Sequence, residues 1–147
     1  MAWFRRRHTP DRFVLIDSLE TPVEPPPSLR RIAAEAVILQ DVAEEVLRGV
    51  RARHSLGELA PRGGPVVRRF FALRDSLPAH CEDAEDERIR MILDVTLHHH
   101  AMVLSTALEF LALEWRSDQI ARQLDGFDGL GEPARALDEV YATLCRR

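Results

Sequence analysis

From Ile89 to Trp115 the chain contains neither proline nor glycine, so nothing in that stretch interrupts a single long helix. At about 100° per residue, Ile92, Val95, Val103, Thr106, Phe110 and Leu113 share one sector. Leu93, Leu97, Leu104, Ala107 and Leu111 fill the sector beside it, and only Glu87, Asp94, His98, Ser105, Glu109 and Arg116 make a polar stripe. A helix apolar on two adjacent sides is a central one, packed against neighbours on both. The acids Glu82, Asp83, Glu85, Asp86 and Glu87 suit the positive end of its dipole and place its start near Ala84. Its far end is open: Ile120 and Leu124 stay in phase, so it runs to Arg116 or on to Asp125, unless Ser117 caps a new helix.

The neighbours follow from spacing and punctuation. After Ser28, a good N-cap, Leu29, Ile32, Ala36, Leu39, Ala43, Val46 and Val50 alternate intervals of three and four, which predicts an amphipathic helix over 29–54 that stops near Gly57. Pro61, Gly63 and Gly64 predict a loop, and Pro65 opens a short helix carrying Val66, Phe70, Leu73 and Leu77 up to Pro78. Gly126, Gly129 and Gly131 predict another loop, and Pro133 begins a last helix with Leu137, Val140, Tyr141 and Leu144 on one face.

Residues 1–27 differ in kind. Trp3 and Phe4 precede Arg5, Arg6 and Arg7, residues 11–19 read as a short helix or a strand, and Pro22, Pro25, Pro26 and Pro27 enforce an extended connection. The expectation is an all-α chain: an elongated four-helix bundle over 28–147 with a proline-tethered N-terminal arm over 1–27. A chain of 147 residues suffices for one such core. No internal repeat is visible.

Composition narrows the function. The net charge of -4 removes the basic field with which most nucleic-acid binders recruit phosphate. No apolar run has the length of a membrane span and the N-terminus lacks a signal-peptide pattern, so a cytoplasmic location is expected. Every basic side chain besides histidine is arginine, and lysine and asparagine are absent, a bias that points to a G+C-rich bacterial genome. Cys81 and Cys145 form neither a metal-ligand pair nor a disulfide framework and read as reduced thiols.

Four motifs bear on chemistry. His98, His99 and His100 diverge around a helix and cannot converge on one ion; Asp94 and His98 share the polar face, while His99 and His100 enter the apolar sectors. No metal or other cofactor is therefore expected, although a metal- or ligand-binding bundle using this region is the rival reading. Ser117 to Leu124, SDQIARQL, resembles the first helix of a helix-turn-helix motif, which implies a DNA-binding regulator; the acidic, glycine-broken segment after it does not supply a recognition helix, so no specific DNA is expected. Arg74, Asp75 and His80 resemble the arginine, polar residue, histidine signature of the HEPN superfamily, whose helical bundles cleave RNA, and Pro78 falls inside that spacing. Neither a Ser-His-Asp or Cys-His signature nor a phosphate-binding glycine loop is present.

What remains is recognition. Arg62, Arg68, Arg69 and Arg74 read as a solvated charged face, whereas Trp3 and Phe4 beside three arginines suit contact with an acidic partner or an anionic membrane surface. The chain is expected to be a non-catalytic protein-protein interaction and assembly module. A helix from Ala84 to Arg116 would be about 50 Å long, more than the roughly 38 Å breadth of a compact domain of this size, and would overhang it. The far half is thereby expected to be buried in a two-fold homodimer or in a stable complex with a helical partner, with Phe110, Leu111, Leu113 and Trp115 at the interface.

Overall fold

The structure, a computed structural model, describes residues 27–113, 118–126 and 129–147. Every regular element in them is helical: α1 over Leu29–Arg51, α2 over Leu56–Asp75, α3 over Ala84–Ala112, the short α4 over Asp118–Asp125 and α5 over Glu132–Cys145. The arm falls outside the described residues, apart from Pro27.

Helix α1 begins where expected. The Ser28 hydroxyl accepts the Arg31 N–H at 3.2 Å, and the three-four spacing buries Ile32, Ala36, Ala43, Val46 and Val50. The buried face is wider than the seam alone, because Ala33, Gln40 and Leu47 are buried as well.

Helix α2 corrects the sequence reading. It starts at Leu56, not Pro65, and runs through Pro61, Gly63, Gly64 and Pro65. A capping box sets the start: the Ser55 hydroxyl accepts the Glu58 N–H at 3.3 Å, and the Glu58 carboxylate accepts the Ser55 N–H at 2.9 Å. The Ser55 N–H, and then the Ser55 hydroxyl donating to the same carboxylate at 3.0 Å, hold the Glu58 carboxyl below its ordinary range. The two prolines lack the N–H that would reach the carbonyls of Gly57 and Pro61, and burial of Leu59, Val66, Phe70 and Leu73 offsets the loss. Gly63 is a packing residue. A Cβ there would lie 2.9 Å from Leu108 Cδ1 and 3.2 Å from Val46 Cγ1, so its absence lets α1, α2 and α3 approach one another.

Helix α3 is opened by Asp83, whose carboxylate accepts the N–H groups of Glu85 and Asp86 at 2.9 and 3.0 Å. It ends at Ala112, short of Arg116, and a separate helix starts at Asp118, so of the expected outcomes the continuation to Asp125 is corrected and a new helix after Ser117 is the one that agrees. Its 29 residues make about 44 Å. Val46 and Leu108 meet at Gly63, so the far end of α3 lies level with the last turns of α1 and the first turns of α2. A straight continuation would leave both behind. Instead α4 packs against α1 and α3, and Asp125 pairs with Arg53 at 3.6 Å.

Gln40 facing His100, and Val46 and Leu108 meeting at Gly63, show α1 and α3 running parallel. Helices α2 and α5 run antiparallel to them on opposite sides, each touching both and neither touching the other. The loop into α5 is pinned by Glu44, whose carboxylate accepts the Leu130 N–H at 2.9 Å. Gly129 passes so close that a Cβ would sit 2.7 Å from Glu44 Oε2, and its φ of +96° also requires glycine. At the other end Arg147 binds Glu85 at 2.6 Å and pairs with Asp86, so the C-terminus of α5, the start of α3 and the start of α1 share one end of the bundle. No helix among the described residues is long and apolar enough to cross a membrane.

Candidate interaction surface

The two apolar sectors of α3 have different fates. Leu93, Leu97, Leu104, Ala107 and Leu111 are buried in the core between α1 and α2. In the other sector Ile92, Val103 and Phe110 are only half-buried, and Val95 and Leu113 are 67% and 57% exposed. Met91 and Met102, 56% and 45% exposed, lie within about 40° of Val95 and Leu113 around the helix. The central helix therefore presents an apolar stripe along its outer side. Scattered apolar side chains are ordinary on a surface, but these four recur along one line of the longest helix, with exposed His98 and Glu109 beside them.

Of the residues expected at an interface, Leu113 lies on this stripe and Phe110 at its edge. Leu111, 4% exposed, is covered by the chain's own helices. Trp115 lies outside the described residues, as do Trp3, Phe4, Arg5, Arg6 and Arg7. Met91 and Met102 were missed because they fall between the first sector and the polar stripe; counting methionine with the apolar residues would have found them.

A polar edge borders the stripe on the α2 side. Arg74 donates to Asp94 at 2.7 Å, and its Nη1 approaches His98 Nδ1 at 3.4 Å; the His98 ring meets Phe71 edge-on with centroids 6.3 Å apart. Arg74 thus turns toward α3, whereas His80 lies exposed beyond the end of α2. The neighbouring arginines are also engaged within the bundle: Arg62 pairs with Glu45, and Arg69 pairs with Glu35 through two bonds, one of 2.8 Å. Arg68 sits at the rim of a shallow α2/α3 groove with Val67, Ser105 and Leu108.

The histidine triplet divides by depth. His98 is exposed, His99 half-buried and His100 fully buried. Gln40, also buried, hands a hydrogen-bond chain from His100 to the surface. The Asp138 carboxylate can only accept, so Gln40 directs its Nε2 there at 3.2 Å and its Oε1 to His100 Nε2 at 2.9 Å. His100 must then carry its proton on Nε2, and Nδ1 has no hydrogen-bond partner. Burial pushes the His100 pKa down to about 4; His99 adds to the fall and the Thr96 backbone opposes it. The ring packs edge-on against Phe70 at 5.4 Å. Among the described residues no three His, Cys, Asp or Glu side chains are placed to hold a metal ion.

The thiols are free. Burial, and then the Glu87 and Asp86 charges, raise the Cys81 pKa and keep it a thiol. Glu87 itself is lowered to about 2 by paired bonds from Arg90 and by the Cys81 N–H.

No family model matches this chain, and neither a curated protein nor a solved structure does.

Proposed function

We propose that the chain is a non-catalytic helical interaction module that assembles through the outer face of α3, as a two-fold homodimer, with the N-terminal aromatic-arginine arm as a docking element. The apolar stripe on α3 supports this reading. Its far half, Met102 and Leu113 flanked by half-buried Val103 and Phe110, needs a partner helix, and a second α3 crossing it offers the same side chains in return. Phe110 is the anchor, because large aromatic side chains dominate such contacts. The polar groups nearby are engaged structurally: Arg74 by Asp94 and His98, and His100 by Gln40.

Light scattering on the full chain tests the reading. Twice the protomer mass of 16.7 kDa is expected at micromolar concentration, reverting to one protomer in Met102→Glu and Leu113→Glu, both at exposed positions that tolerate charge. A single-protomer mass for the unaltered chain would overturn assembly by self-association.

A further inference from the structure

The near half of the α3 stripe does not stand alone. Met91, Ile92 and Val95 form one wall of an open groove of about 410 Å³ whose other wall is Pro133 and Ala136 of α5. Toward the end of the bundle it continues between Ile89 and Ile92 on α3 and Ala136 and Val140 on α5, reaching Thr143. From Glu132 to Thr143 the groove follows α5 for about 17 Å. Its floor is apolar between Met91, Ile92, Val95, Pro133 and Ala136 and mixed toward the mouth. Carboxylates mark its rim: Glu132 at the far end, Glu139 midway and Glu85 at the mouth, with Arg88 beside Glu85. Glu85 and Glu132 have arginine partners in Arg147 and Arg135, whereas Glu139 forms no ion pair among the described residues.

We propose that this groove seats the chain's own segment 13–19, Phe13 to Leu19. Three observations favour that occupant. The first is where the chain leads: α1 begins at the end of the bundle onto which the groove opens, since Arg30 lies near Tyr141, and Arg147 reaches Glu85. Crossing that end takes about 20 Å, two helix diameters. Residues 20–27, stiffened by four prolines, span about 25 Å when extended. The second is length: residues 13–19 extended cover about 20 Å, and a helix over 9–19 about 16 Å, so either conformation matches the groove. The third is chemistry. Phe13, Val14, Leu15, Ile16 and Leu19 supply apolar side chains, and the chain direction sets Arg12 toward Glu132. Arg5, Arg6 and Arg7 then follow beyond the groove, where they remain available to a partner. This extends the proposed role of the arm and rests on it, but not on assembly through the far half of α3. Seated this way the segment covers Met91 and Val95 and leaves Met102 and Leu113 open.

The test uses the full chain with Phe13 replaced by the photocrosslinking residue p-benzoylphenylalanine, prepared as an equal mixture of nitrogen-14 and nitrogen-15 protein. Irradiation should join position 13 to Met91, Val95 or Pro133, in peptides carrying one isotope only. Ala136→Arg, which fills the groove, should cut that yield by about tenfold with helix content unchanged. If Ala136→Arg fails to fold, Val95→Glu at its exposed site should do the same. Crosslinks elsewhere on the protein, or none, would overturn the proposal. Mixed-isotope peptides would overturn it too, by making the occupant the arm of a second copy. The light-scattering mass is a separate readout, so failure here is distinguishable from failure of the dimer.

Discussion

His100 is the residue on which acid stability turns. Its folded-state pKa of about 4 lies below the ordinary 6.5, so between those values the unfolded chain binds a proton that the folded chain refuses. The stability contributed by the neutral ring is complete above about pH 6.5 and is lost as the pH falls toward 4. The full loss is about 3 kcal/mol, since each pKa unit corresponds to about 1.4 kcal/mol. Denaturant unfolding at pH 7 and pH 4.5 should show most of that fall, about 2 kcal/mol, in the natural chain. In His100→Leu it should largely vanish, with a cost of about 1 to 3 kcal/mol at pH 7 because Gln40 loses its buried partner. An equal fall in both proteins would assign the acid sensitivity elsewhere. The sequence places His100 in an apolar sector, but nothing local names Gln40, which lies 60 positions away and meets it only because α1 and α3 run parallel.

Among the elements, α2 separates what sequence spacing conveys from what packing decides. Adjacent glycines occupy unlike places: a Cβ at Gly63 meets Leu108 and buried Val46, whereas at Gly64 the nearest side-chain atom is Arg68 Nη1 at 3.7 Å. Gly64→Ala should therefore stabilise the protein by up to about 1 kcal/mol, the helix-propensity difference. Gly63→Val should destabilise it by about 1 to 3 kcal/mol through overpacking. Equal midpoint shifts of the same sign in thermal or denaturant unfolding would mean that Gly63 has no packing role. The helix was misread because proline and glycine are weighed as breakers, while Ser55 and Glu58, a legible capping box three residues apart, mark the true start. Helix α1 was legible because its seam repeats for six turns with a single glycine, Gly49, and that only in the last turn. The end of α3 was not, since Ile120 and Leu124 keep phase across a boundary that lies level with the last turns of α1 and the first turns of α2. The exposed stripe was half legible: Val95 and Leu113 follow from the sector, but which of the two sectors stays uncovered depends on the placing of α2 and α5.

Across the whole molecule the packing is uneven. Helices α1, α2 and α3 contact one another pairwise, and Phe70, Leu93, Leu97 and Leu104 are buried where they meet. Helix α5 has 14 residues, buries only Leu137, Val140 and Leu144, and is otherwise fastened at three points: Asp138 to Gln40, the Leu130 loop to Glu44, and Arg147 to Glu85 and Asp86. An element with few buried contacts opens at a lower free energy than the core, so α5 should exchange its amide hydrogens before α2 and α3 do. Glu44, which holds the loop rather than α5 itself, is one fastening that can be removed without touching α5. A hydrogen bond to a charged group contributes about 1.5 to 3 kcal/mol, so Glu44→Ala should speed exchange in α5 by at least about tenfold. Protection in α2 and α3 should change little, because their contacts do not depend on the loop. Uniform acceleration of all helices would show that α5 folds as one unit with the rest.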